Sequence, residues 1–373
     1  MSQRATRAVF MRGGTSKALI FRHADLPPDR AARDALFLAA MGSPDPAMRQ
    51  LDGMGGGVSS LSKVCIVGPP SRPDADVDYT FAQIAIDRAE VDYAGNCGNM
   101  SAAIGPFAVD EGLVPPPRDG EAAVRIHNTN TGKIIIARFP VAAGRAVVEG
   151  ALALDGVAGT GAAIRLEFTA PDGAKTGRLL PTGNPIDLLD GLPASLVDAA
   201  NPCVFFAAAD LGLRGDELPA VLERDGALLD RLEALRRLAA VRMGLASDLE
   251  TAARTASIPK LGLLSAPMPT ALLSGRSLPA AAADIVARMI SVGQPHRAIP
   301  LTGALCLAVA CRIPGSIAHR LARPASPITI AHPSGTILVT AEVLPSLAVP
   351  HATVFRTARR LFQGEVLWRD PAG

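Results

Sequence analysis

Apolar residues along the chain fall mostly into short runs cut by turn chemistry. Residues 124–126, 134–139, 146–148, 164–168, 204–207, 328–330 and 336–339 read as short strands, rich in β-branched and aromatic side chains. Asp119-Gly120, Asn130-Thr131-Gly132, Pro171-Asp172-Gly173 and Pro333-Ser334-Gly335 supply the turns around them. Helical spacing is rarer. Residues 28–41 carry Ala31, Ala35, Leu36 and Leu38 on one face. Residues 99–111 are small and apolar, with Asn99 as the expected cap, Gly112 as the stop and Pro106 as a point of kinking or shortening. Residues 218–245 form the longest helical tract, divided at Gly226, and residues 278–290 and 301–311 predict two more helices, the last one buried. Regular βαβ alternation is missing. Many strands with few helices predict an α+β protein built on curved antiparallel sheets.

The pattern also repeats. SKALIFRHADL (16–26) resembles NPCVFFAAADL (201–211) at an offset of 185. NCGNMSAA (96–103) resembles LTGALCLA (301–308) at an offset of 205, which sets Cys97 opposite Thr302. His127 resembles His332 at the same offset of 205. Matches in one order point to a duplicated domain, and the expected division is 1–184 and 185–373.

Composition narrows the classes. The chain has 373 residues, 49% hydrophobic and 19% charged, enough for sizeable cores. A net charge of +2 argues against a nucleic-acid binder, and an aromatic content of 4% argues against a stacking platform for single strands. Cys65, Cys97, Cys203, Cys306 and Cys311 are odd in number and contain no CxxC pair, so neither a disulfide framework nor a zinc ribbon is expected. No apolar run reaches the roughly 18 residues of a membrane helix, and no leader pattern is present. The expectation is a soluble cytoplasmic protein without nucleic-acid or membrane partners.

Four segments carry candidate chemistry. In MRGGTSK (11–17), Arg12 could grip a carboxylate, with Gly14 and Ser16 offering backbone and hydroxyl donors; the alternative is an ordinary strand-end turn. LDGMGGGVSSLSK (51–63) is a donor-rich loop ending in Ser62 and Lys63, and the apolar VCIV that follows places Lys63 at the mouth of a buried strand. A lysine there loses solvation and becomes a base near neutrality; otherwise it is a solvated strand-end lysine. In AGNCGNM (94–100), Cys97 precedes a helix start, where a thiolate and anions are both favoured, and Asn96, Gly98 and Asn99 frame it. The alternative is a small buried hydrophobe, the reading given to the other four cysteines. Arg297, Thr302 and Gly303 in PHRAIPLTGA (295–304) are candidates for the same ligand-contacting role through the repeat, the alternative being a structural His or Arg ahead of a helix, with His296, His332 and His127 in polar turns. No metal constellation is expected.

MRGGTSK, DGMGG followed by SK, GNCGN, PTGNP (181–185) and HPSG (332–335) together resemble the PrpF protein family over about residues 8–360. That family includes 2-methylaconitate cis-trans isomerase, 4-oxalomesaconate tautomerase and methylitaconate isomerase. The resemblance implies a diaminopimelate-epimerase-like fold: two similar domains, each a curved sheet or barrel around a central helix. It also implies cofactor-independent allylic proton transfer on a small unsaturated di- or tricarboxylate. The family's catalytic lysine falls on Lys63 and its conspicuous cysteine on Cys97.

The epimerases of this fold use two cysteines, whereas here Thr302 occupies the repeat position, which suits isomerisation better than epimerisation. In this reading Lys63 is the base, Cys97 protonates the distal carbon or shapes the pocket, the Gly98 and Asn99 amides hold one carboxylate, and Arg12 and Ser16 hold another. Ser62, Asn96, Arg297, Thr302 and Gly303 are the further substrate-binding candidates. An amino-acid epimerase or racemase, or a non-catalytic metabolite-binding protein, are the alternatives. A homodimer is the assembly carried with the reading.

Overall fold

The computed structural model describes residues 3–369 and divides the chain into two compact units. The first runs to Leu166 and includes the return segment from Phe355; the second is Glu167–Val354. The sequence-based cut at 184/185 follows the repeat instead. It overlooks the return of the C-terminal strand to the first unit.

In the first unit, β1 (Arg4–Gly13) and β2 (Ser16–Arg22) form a hairpin closed at the Gly13–Ser16 pair. β2 runs parallel to β3 (Lys63–Gly68), β3 antiparallel to β4 (Val77–Ile84), and β4 parallel to β5 (Gly120–Asn128). β6 (Lys133–Ala142) completes a hairpin with β5. The return strand Ala358–Trp368 pairs antiparallel with β1. This sheet curves around α2 (Gly98–Asp110), whose residues from Gly98 to Val109 are all buried. Its other face carries α1 (Arg30–Met41), where Leu36 and Phe37 pack with Leu19, Phe21, Val64 and Ile66. The Asp29 carboxylate accepts from the Ala32 amide at 2.8 Å to start α1, and Gly42 at φ 72° ends it.

The second unit follows the same plan. β7 (Leu192–Ala199) and β8 (Asn201–Ala207) form the hairpin, and β8 runs parallel to β9 (Lys260–Ser265). β9 is antiparallel to β10 (Ile285–Ser291), β10 parallel to β11 (Ile328–His332), and β11 closes a hairpin with β12 (Gly335–Ala341). The buried helix α4 (Leu301–Ala310) packs on β7, β8 and β12, while α3 (Gly226–Arg242) covers the other face through Leu232, Leu235 and Ala239.

The helices expected at 28–41, 99–111 and 301–311 form, and the tract at 218–245 divides at Gly226, where Asp225 caps the second piece. Pro106 lies inside α2 without ending it. One helix is wrong. Residues 278–290 hold a short strand, a 3-10 turn and most of β10. β10 is buried on both faces between β9 and β11, so it lacks the alternation that marks a half-exposed strand. Arg288 interrupts its apolar run, yet the side chain is buried and donates to the carbonyls of Glu217 and Asp216.

The duplication holds, but its register changes. α2 is capped by Cys97 and α4 by Pro300, so Cys97 corresponds to Pro300, and Thr302 corresponds to Asn99 as the second helical residue. Asn128 ends β5 and His332 ends β11, each at a hairpin, so His332 corresponds to Asn128 and not to His127. The offset of 205 therefore slid the helix by two positions and the strand by one.

Candidate active site

Within the first unit, β3 and α2 bring Lys63 and Cys97 into one buried cluster. Lys63 is the first residue of β3, is 6% exposed, and donates from Nζ to Gln83 Oε1 across the β3–β4 pair at 2.6 Å. The carboxamide of Gln83 is fixed by its other end, where Nε2 donates to the carbonyls of Ser62 (2.9 Å) and Ser59 (3.1 Å). Nζ also lies 5.0 Å from the centre of the Phe81 ring. No carboxylate pairs with Lys63 among the described residues. Burial holds its ammonium below its ordinary pKa, outweighing the opposite influence of Cys97 and Cys65.

Cys97 is the N-cap of α2 and makes no side-chain capping bond. The first amides of the helix therefore keep their hydrogens unclaimed by the helix itself. The Cys97 thiol is buried, 4.0 Å from Ser16 Oγ. Its carbonyl accepts from Tyr79 Oη and Ser101 Oγ, both at 3.3 Å, which pins the cap. Cys65 Sγ lies 3.8 Å from Tyr79 Oη, and burial raises the pKa of both groups.

The other expected residues separate by what their side chains already do. Ser16 and Gly98 are buried beside Cys97. Gly14 sits at φ 50°, and a Cβ there would come 2.2 Å from Asn99 Oδ1, so the turn needs glycine twice over. Asn99 spends its carboxamide on Thr15 Oγ1 (3.1 Å) and Arg356 Nε (3.2 Å), and it is inside the helix, not its cap. Asn96 Oδ1 accepts from Asn128 at 3.2 Å. Ser62 Oγ is fully buried, 2.5 Å from Gln50 Oε1 and 2.9 Å from the Val58 carbonyl. Arg12 Nη1 donates to the carbonyls of Gly14 and Thr357, both at 3.0 Å, and ties the turn to the return segment.

In the second unit, Arg297 pairs with Glu223 at 3.1 Å and is half exposed. Thr302 Oγ1 accepts from Asn201 at 3.4 Å, and Gly303 lies against Met289.

Sequence reasoning missed four residues. Gln83 and Tyr79 are distant in the chain and reach Lys63 and Cys97 only through strand pairing. Arg356 is 6% exposed against Asn99. Lys260 opens β9 as Lys63 opens β3, is 8% exposed, and donates to Ser291 Oγ (3.1 Å) and the Ser257 carbonyl (3.2 Å). A lysine followed by LGLL, like Lys63 before VCIV, was the available signal. Among the described residues no group of three or more His, Cys, Asp or Glu side chains could hold a metal, and no helix is long and apolar enough to cross a membrane.

Comparison with known proteins places the chain in a family. The chain is 40% identical to a 3-methylitaconate isomerase of Eubacterium barkeri over 96% of each chain. It is 39% identical to a 2-methyl-aconitate isomerase of Shewanella oneidensis, again over 96% of each. It is 40% identical to a 4-oxalomesaconate tautomerase of Pseudomonas putida over 100% of this chain and 99% of that one. A solved methylitaconate-delta-isomerase matches with a TM-score of 0.79 at 39% identity, covering 100% of this chain and 97% of the other. A hydroxyproline epimerase from Agrobacterium vitis, 11% identical with a TM-score of 0.56 over 99% and 94%, shares the fold, which is diaminopimelate-epimerase-like. The family profile described as PrpF protein matches residues 3–369. The chain belongs to the PrpF protein family.

Proposed function

We propose that the protein is a cofactor-independent isomerase that shifts a carbon–carbon double bond in a small unsaturated di- or tricarboxylate. The observation that carries this reading is Lys63: a buried amine with a neutral acceptor on one side, no carboxylate partner among the described residues and a cysteine-capped helix start beside it. Without a counter-ion to hold its proton, such an amine has a lone pair to offer.

A C–H adjacent to a conjugated carboxylate is a weak acid, so the site has to supply a base and also stabilise the dienolate that forms. Lys63 removes the allylic proton. Charge then spreads into the substrate carboxylate, which is held by the first amides of α2, at Gly98 and Asn99, where the helix favours an anion. The Cys97 thiol, with Ser16 Oγ beside it, returns a proton to the far carbon of the three-carbon unit. One C–H bond breaks, another forms, and the double bond moves between them without any redox change. Ser62 and Asn96 serve as positioning residues, through Gln50 and Asn128, and Arg12 holds the turn that presents Ser16. The second unit's helix is capped by Pro300 where the first unit's is capped by Cys97, so the repeat carries one thiol at this position, which counts against the epimerase alternative.

The relatives at similar identity act on methylitaconate, methylaconitate and oxalomesaconate, so identity does not choose among these substrates. The test is incubation in deuterated water with each of the three acids, followed by proton NMR. The expected result is deuterium incorporation with movement of the double bond in one of them. Absence of both in all three would sink the reading.

A further inference from the structure

Arg356 ends the strand His351–Arg356 and lies within the first unit. It is 6% exposed. Nε donates to Asn99 Oδ1 at 3.2 Å and Nη1 to the Phe355 carbonyl at 2.9 Å. Among the described residues no carboxylate pairs with it and Nη2 has no hydrogen-bond partner. Burial alone holds the guanidinium below its ordinary pKa, with no neighbouring charge contributing. An arginine does not discharge by losing its proton as a buried lysine can. A buried cation without a counter-charge is costly, and an anion that fills the space in front of it removes that cost.

The surroundings favour such an anion. Asn99 is the second residue of α2, so the guanidinium stands at the helix start whose amides lack helical acceptors. The Gly14 turn comes close enough that a Cβ there would meet both Asn99 Oδ1, at 2.2 Å, and Arg356 Cδ, at 3.1 Å. Thr15 completes the wall through its bonds to Asn99. Arg12, the arginine the sequence favours for this task, is spent on two backbone carbonyls.

We infer that Arg356, with the first amides of α2, forms a carboxylate subsite in which the free Nη1 and Nη2 hydrogens grip one carboxylate of the substrate as a fork. Asn99 is then the positioning residue that aims the guanidinium. The identity of the anion as a substrate carboxylate rests on the isomerase reading; the subsite itself rests on the geometry.

The test uses the full chain and propane-1,2,3-tricarboxylate, a saturated probe that cannot isomerise, with binding measured by calorimetry. Arg356→Met is expected to weaken binding about 10²-fold, the usual scale for removing one partner of a buried charge pair. Arg356→Lys keeps the charge but loses the fork and is expected to weaken it about tenfold. On the isomerising substrate both variants raise KM and also lower kcat, because the carboxylate they hold takes up charge as the dienolate forms. The ligand-free Arg356→Met protein melts no lower than wild type, because an uncompensated charge has been removed; a purely structural arginine would lower it. Wild-type-like binding by Arg356→Met overturns the subsite, as does failure of the wild type to bind the probe. If Arg356→Met fails to fold, wild-type-like binding by Arg356→Lys overturns it. Probe binding that depends on Arg356 in a protein that isomerises none of the three acids keeps the subsite and removes the isomerase reading.

Discussion

The two units share one strand order and one central helix, yet they place different chemistry at matching positions. In the first, the lysine that opens the strand faces a glutamine carbonyl oxygen, and the helix start is capped by a thiol. In the second, the matching Lys260 is held by a serine hydroxyl and a backbone carbonyl, and the cap is Pro300, which has no acid or base to offer. The two units share a scaffold; the lysine–cysteine pair proposed as reactive stands on one of them. Both copies carry a buried lysine at the strand mouth, so the difference between them lies in its partners and in the helix cap.

The largest effect should come from the lysines taken together. Lys63→Met is expected to lower kcat about 10³-fold, within the range for loss of a general base, while Lys260→Met changes kcat by less than about tenfold. Comparable losses in both variants would break the comparison. Isomerisation followed by absorbance or NMR decides it.

A thiol present in one cap and absent from the other makes the next test. Cys97→Ser is expected to slow double-bond movement about 10²-fold. Deuterium exchange at the carbon facing Lys63 should persist, because that step does not use the cysteine. Loss of exchange together with isomerisation would assign Cys97 to proton removal instead.

The pH dependence follows from the direction of the Lys63 shift. In the proposed mechanism the base is the neutral amine, so the acid limb of kcat/KM should rise with pH through a pKa below the ordinary lysine value of 10.5. Stability carries the same sign. Between the lowered folded pKa and the unfolded value, the unfolded chain binds more protons, so Lys63 makes stability rise with pH in that window. Lys63→Met should flatten this rise in chemical denaturation run across pH. Gln83→Leu removes an acceptor that favours the ammonium, and should shift the kcat/KM profile to lower pH with a loss of about tenfold in rate.

How far these assignments were legible depended on whether the chemistry was local. Lys63 and Cys97 stood out because each sits at the edge of an apolar element, and that edge is written in neighbouring residues. Gln83 and Tyr79 reach them through strand pairing, which no short window contains. The arginines show the same limit from the other side. Arg12 lies in a glycine-rich stretch and attracts a ligand-binding reading, but its hydrogens go to carbonyls. Arg356 lies in VFRTARRL beside Arg359 and Arg360, and nothing local says which of the three turns inward. β10 failed for a related reason: a strand buried on both faces has no alternation, and its apolar spacing passes for a helix.

The smallest difference between the units lies in the hairpin turn ahead of each central helix. In the first, Gly14 takes φ 50° against Asn99 and Arg356; in the second, Ala200 takes φ 61° with its amide donating to the Pro171 carbonyl. A left-handed residue other than glycine costs about 1–2 kcal/mol. Gly14→Ala adds to that cost a clash with the Asn99 carboxamide, so it should destabilise the protein by about 2 kcal/mol or more and displace the Arg356 fork with it. Ala200→Gly releases the strain but frees the unfolded chain, and the two nearly cancel, leaving a change of at most about 1 kcal/mol. Urea denaturation of both variants measures the pair. Equal costs at the two turns would mean that Gly14 is there only for its backbone angle. A larger cost at Gly14, accompanied by weaker tricarboxylate binding, would mean that the turn is glycine so that Asn99 and Arg356 can come up against it.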